Sequence, residues 1–147
     1  MFVILSPPSQ RNEITVNEQE LLLQPEENYM DDGQLDYFRR ILREKKATIL
    51  NRLQSYHSSM KDSIREADVT DLASNEEQRS LSMTMMNRDR DELKRIDAAL
   101  ERVEEGEYGY CDHTGEPIGL RRLLVNPTTK LSVESMRVEE SRGRHRA

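Results

Sequence analysis

The stretch 108-YGYCDHTGEPIGLRRLLVNPTTKLSVES-135 has the outline of a zinc knuckle from which most of the ligands are gone. Cys111 and Thr114 stand two residues apart, seventeen residues follow, and Ser132 and Ser135 repeat the two-residue gap. With Cys at all four positions this spacing is a strong zinc signature, because a structural Zn²⁺ is closed by four good donors. Here one thiol remains, His113 is the only other soft ligand in the segment, and neutral hydroxyls bind zinc poorly. Zinc is therefore not expected. A structural site supplies on the order of 10–16 kcal/mol in finger peptides, whereas a hydroxyl hydrogen bond adds roughly 0.5–1.5 kcal/mol. Burial has to make up the difference, from Tyr108, Tyr110, Ile118, Leu120, Leu123, Leu124, Leu131 and Val133, at roughly 1.5–3 kcal/mol per fully buried aliphatic chain. Cys111 fits a small buried filler better than a nucleophile, since no Cys–His–acid constellation accompanies it.

Upstream of the knuckle the pattern becomes helical. Leu35, Phe38, Leu42, Ile49, Leu53, Tyr56 and Met60 recur at spacings of three, four or whole heptads, with a polar gap at Lys45 and Lys46. That is a coiled-coil seam. A second seam runs through Met86, Leu93, Ile96, Leu100 and Val103 until Gly106 and Gly109 stop it. Asp89 falls on a seam position, so either the helices splay there or the carboxylate finds a basic partner. Between the seams, 67-ADVTDLASNEEQ-78 is rich in turn and cap formers and is expected to be the connection. Two helices of roughly 30 residues, each roughly 45 Å long, joined by a short turn pack antiparallel. Folding about residue 70 or 71 brings Phe38 level with Val103.

The expected fold is thus mainly α. Residues 34–105 form a long antiparallel coiled-coil hairpin with its tip at 67–74. Residues 106–147 form a small zinc-knuckle-like globular base lacking the zinc ligands, with a C-terminal helix. Residues 1–33 pack on the base or stay partly disordered, with Leu21-Leu22-Leu23 as an apolar island able to form a docking helical turn.

Composition agrees with a rod. Of 147 residues, 35% are hydrophobic and 34% charged, with no Trp and two Phe, too polar for a large globular core. The net charge of −6 is polarised: residues 1–36 hold eight acids against Arg11 alone, while residues 120–147 hold seven Lys or Arg against three Glu. This argues against direct DNA binding, which needs a basic footprint, and suits docking on a protein surface. One cysteine fits a reducing compartment. MFVILSPP lacks the basic n-region of a signal peptide, and no apolar run approaches the roughly 20 residues of a membrane span. A soluble, cytoplasmic monomer is expected. No nucleophile–base pair or phosphate loop is present, so an enzyme is not expected.

The motif 68-DVTDLA-73 at the hairpin tip, 87-NRDRDELKRI-96 on the returning helix and 108-YGYCDHTGEPIGLRR-122 together resemble the DksA family, with 26-EENYMDDGQLDYFRR-40 and 126-NPTTKL-131 adding to the likeness over residues 26–140. The missing knuckle cysteines make it most similar to the zinc-independent paralogue of pseudomonads. The resemblance implies a bacterial transcription regulator that binds RNA polymerase, its coiled coil entering the secondary channel. It implies that Asp68, Asp71 and Ala73 act at the tip near the polymerase active site. Open promoter complexes would be destabilised at ribosomal RNA promoters, and amino-acid biosynthesis promoters activated with ppGpp.

The resemblance also assigns ppGpp and polymerase contacts to Arg88 and Arg95, which match two basic positions of the family's alarmone site. The positions in the base fall on Asn126, which can donate a hydrogen bond, and Met136, which cannot. The expected response to ppGpp is weakened accordingly.

Without the resemblance, Asp71 or Ser74 reads as a cap of the second helix. The run Arg88–Arg95 reads as a solvated face with internal ion pairs. Two other functions fit the hairpin: a coiled-coil adaptor, and a transcript-cleavage-type secondary-channel factor.

Overall fold

The computed structural model describes the backbone of residues 16–66 and 72–146, and side chains outside 63–73 within those limits. Asn17 opens the first helix, α1 (Glu18–Leu23), through a capping box with Glu20, which satisfies two orphan amides at once. Of the apolar island only Leu21 is buried; Leu23 points outward. A single 3₁₀ turn, Glu26–Asn28, follows Pro25 and carries the chain to the rod.

The Asp31 carboxylate accepts the Gln34 amide at 2.9 Å where α2 (Asp32–Glu66) begins. The returning helix is α3 (Leu72–Glu105). This corrects the expected connection over 67–78: Ala, Glu and Gln favour helix, and Leu72–Gln78 contains no Gly or Pro to break it. Ser74 therefore lies inside α3 rather than capping it.

The helices pack as an antiparallel hairpin. Phe38, Leu42 and Ile49 of α2 and Ile96, Ala99 and Val103 of α3 form its buried seam. Leu93 and Leu100, expected in that seam, are only partly buried, and Ala99 takes the central position. The cross-rod ion pair Arg52–Asp89 at 2.6 Å keeps the register that sets Phe38 level with Val103, and Arg39–Glu104 at 3.1 Å and Lys46–Asp97 at 2.6 Å fall within two residues of it.

α3 ends in a Schellman motif: the Gly106 and Glu107 amides donate to Val103 and Arg102 carbonyls at 3.3 and 2.9 Å. Gly106 supplies the required positive φ of 75°. Beyond it the base contains the isolated bridge Tyr110–Pro117, α4 (Leu120–Val125) and α5 (Val133–Arg144), capped by Ser132. α1 packs on α4. No described helix is long and apolar enough to cross a membrane.

Rod and base meet where Phe38 packs on Tyr108, ring centroids 5.4 Å apart. Tyr108 is buried and donates to the Pro127 carbonyl at 2.7 Å; burial pushes its phenol well above the usual range. Of the side chains expected to fill the base, Tyr108, Leu123 and Leu131 are buried, but Val133 is 44% exposed. As the first residue of α5 it faces outward from the helix, a placement that apolarity alone does not reveal.

Candidate functional site

Two sites follow from the expected residues: a groove on the rod and the degenerate knuckle. The rod groove, about 430 Å³, is lined by Arg52 and Tyr56 from α2 and by Met85, Arg88, Asp89, Asp91, Glu92 and Arg95 from α3. At its centre the seam carboxylate finds its basic partner. Arg52 grips Asp89 with two parallel bonds, Nε to Oδ2 at 2.7 Å and Nη2 to Oδ1 at 2.6 Å. The fork geometry of guanidinium and carboxylate suits such a pair. The hydrogen bond from Arg52 holds the Asp89 carboxyl below its ordinary range, against the opposing effect of burial.

The structure thus brings Arg88 and Arg95 into one groove. Arg95 donates to Glu92 at 3.1 Å, whereas Arg88 makes no ion pair with a described residue. Asn126 is not among the lining residues; it ends α4 in the base, where its side chain accepts the Thr128 hydroxyl at 3.0 Å. Asp68 and Asp71 lie outside the described residues, and Ala73 belongs to α3, with its side chain outside them. Arg52 escaped the sequence reading, although Asp89 on the seam called for a cation on the facing helix, and Tyr56 was read only as a seam residue.

In the knuckle, the Cys111 amide donates to Glu116 at 2.7 Å and the Gly115 amide to Cys111 at 2.8 Å, closing a tight loop. The Asp112 amide reaches Lys130 at 2.8 Å and ties it to the second limb. Ser132 donates to Ser135 Oγ at 3.1 Å, and Ser135 Oγ lies 3.2 Å from Cys111 Sγ. Burial raises the Cys111 thiol, but the Ser132 amide, the Ser135 and Thr114 hydroxyls and the Thr114 amide outweigh it and bring it to about 5. Of the three hydroxyl residues at the degenerate positions, Ser135 thus reaches the sulfur directly and Ser132 reaches it through Ser135.

That donor set does not fit zinc. Ser132 Oγ accepts the Ser135 amide and Thr114 Oγ1 the Glu116 amide, at 3.2 and 3.3 Å. His113 turns outward to Glu139 at 3.2 Å. No three His, Cys, Asp or Glu side chains converge among the described residues.

What locks the base comes partly from outside it. The Tyr29 hydroxyl donates to the Gly109 carbonyl at 2.5 Å and accepts the Gly119 amide at 3.0 Å, spanning the two ends of the knuckle's first limb. Met30, at φ 55°, packs so closely on Gly109 that a Cβ there would lie 2.7 Å from its side chain. Gly109 itself has φ 88°, so only glycine fits on both counts. Buried Gln34 accepts the Met30 amide and donates to Gln24, both at 2.9 Å. From the rod, Arg102 donates to the Tyr110 carbonyl at 2.6 Å.

Residues 34–103 match the family model described as DnaK suppressor protein DksA, N-terminal domain, and residues 106–134 that of the prokaryotic dksA/traR C4-type zinc finger. An RNA polymerase-binding transcription factor DksA of Caulobacter vibrioides is 43% identical over 120 residues, covering 81% of this chain and 84% of that protein. The factor of the same name from Escherichia coli is 34% identical over 124 residues, 84% of this chain and 82% of that one. The solved structure of transcription factor DksA2 from Pseudomonas aeruginosa superposes with a TM-score of 0.82 at 45% identity, covering 88% of this chain and 100% of that one. With both halves matched and this identity sustained over most of its length, the chain belongs to the DksA family of non-enzymatic transcription factors.

Proposed function

We propose that this protein regulates transcription by binding RNA polymerase through the secondary channel, without zinc. The rod carries Asp68, Asp71 and Ala73 toward the active site. There they destabilise open complexes at ribosomal RNA promoters and, with ppGpp, activate amino-acid biosynthesis promoters. It acts in the cytoplasm as a monomer and makes no direct contact with DNA.

The observation that carries zinc independence is the hydroxyl chain from Ser132 through Ser135 to the Cys111 sulfur, reinforced by the Tyr29 bridge across the first limb of the knuckle. Packing and hydrogen bonds then do what a metal does in a four-cysteine relative. Polymerase binding is supported by the relatives named for it, which match more than four fifths of the chain. For ppGpp, support is confined to Arg88 and Arg95 in one groove. With Arg95 engaged by Glu92 and neutral Asn126 in the base, the response is weaker than that of a relative with basic residues there.

The test is transcription in vitro from a ribosomal RNA promoter, with and without ppGpp and a strong chelator. Inhibition that survives chelation, in protein free of stoichiometric zinc, is the expected result. Activity lost on chelation and restored by zinc would refute it. Asp71→Asn should abolish regulation while leaving polymerase binding within about twofold.

A further inference from the structure

Farther along the rod toward the tip, the seam opens into a second groove of about 240 Å³, with Met60, Met83 and Met86 as its apolar lining and His57, Lys61 and Arg90 around it. The register explains why these residues meet. The pairs Arg39–Glu104 and Lys46–Asp97 set which residues face each other. Eleven residues, three helical turns, carry that face from Lys46 to His57 and from Asp97 to Met86. His57 then stands opposite Met86, and Met60 opposite Met83.

Near the base the same seam is sealed: Phe38, Leu42 and Ile96 are wholly buried. Here Met86 remains buried as the floor, but Met83 is 51% exposed. Flexible thioethers adapt to incoming side chains and are over-used at binding surfaces. Lys61 and Arg90 form no ion pair with a described residue, and among the described residues no carboxylate lines the groove. The groove at Arg52 is different, its arginines facing Asp89, Asp91 and Glu92 from within the chain.

We infer that the methionine groove is a docking face for an acidic segment of RNA polymerase that inserts an apolar side chain between Lys61 and Arg90. The inference rests on the polymerase binding proposed above. Cations around an apolar floor complement carboxylates flanking a hydrophobic anchor. A nucleic acid would satisfy the cations, but among the described residues no Phe, Tyr or Trp lines the groove, and the single imidazole of His57 is a small platform for stacked bases.

The experiment measures affinity of the full chain for purified RNA polymerase, with melting temperature recorded for each variant. The doubly charge-reversed variant Lys61→Glu/Arg90→Glu alters only side chains at the rim. It should bind at least tenfold more weakly and melt like the parent. Met83→Asp should weaken binding as much and Met83→Leu should restore it, while Ser59→Asp, on the opposite face of α2, should leave it unchanged. A photo-crosslinker at Met83 should label a polymerase subunit. Parental binding with the charge-reversed variant within twofold of it overturns the docking face alone, as does crosslinking only to nucleic acid or to a second copy of the chain. Failure of the parent protein to bind polymerase overturns the proposed function and this inference with it.

Discussion

Along the rod, Phe38, Leu42 and Ile49 meet Ile96, Ala99 and Val103 at helical spacings, so most contacts have a neighbour of the same kind one turn away. In the base, the Tyr29 and Tyr108 hydroxyls and the Arg102 guanidinium each make bonds that nothing nearby repeats. A repeating seam spreads the loss of one side chain over its neighbours, whereas a unique bond leaves a backbone carbonyl or amide without a partner. The same chain therefore holds one region by redundancy and the other by specificity.

Phe38 belongs to both regions, being fully buried in the seam and packed on Tyr108, so its loss is the largest expected effect. Phe38→Ala should destabilise by about 3–5 kcal/mol in chemical denaturation and loosen rod and base together. If base amides exchange as slowly as before, the two regions do not share this core.

The second test separates them by pH. The Cys111 thiol, at about 5 against an ordinary 9.0, is ionised more readily in the folded base than in the unfolded chain. Its contribution to stability is complete above about pH 9, declines as pH falls, and is gone below about 5. Cys111→Ser should flatten the pH dependence of base melting across that window and leave rod helicity unchanged. An unaltered slope would show that another group carries it.

Tyr29→Phe removes only an oxygen, yet strands the Gly109 carbonyl and Gly119 amide. We expect a loss of about 1–2 kcal/mol and faster hydrogen exchange at Gly119, with Ile96 in the rod unaffected. Equal acceleration at both sites would break the contrast between the regions. The smallest effect belongs to Arg52–Asp89, because the guanidinium is 45% exposed. A double-mutant cycle to Ala should give a coupling of about 1 kcal/mol. A value near zero would mean that the rod does not need this pair even where a carboxylate interrupts its seam.

These two ways of holding together also decide what could be read beforehand. The hairpin and its register were legible because a heptad pattern repeats the same information many times. Even the conflict at Asp89 pointed to a basic partner, though not to Arg52. The turn was misjudged, since Ser and Asn within Leu72–Gln78 mimic a loop while the helix continues through them. The Tyr29 bridge was invisible: its partners lie 80 and 90 residues away, and no local pattern announces a single distant bond. Of the expected contact residues, Arg88 and Arg95 share a groove because helical spacing fixes their relation. Asn126 depends on how the base sits on the rod, which spacing does not encode.

The Tyr29 bridge also sets a timetable for the nascent chain. Gly119 is added 90 residues after Tyr29, which takes roughly 5–18 s at bacterial ribosome speeds of about 5–20 residues per second. The apolar face of α2 is made early and meets its α3 partners only as they emerge, the pairs nearest the base last. Tyr29 then closes across a knuckle finished near the end of synthesis. A ribosome that stalls before Gly119 leaves the bridge open and the base unlocked, so messages truncated there would yield chains suited to prompt removal by proteases.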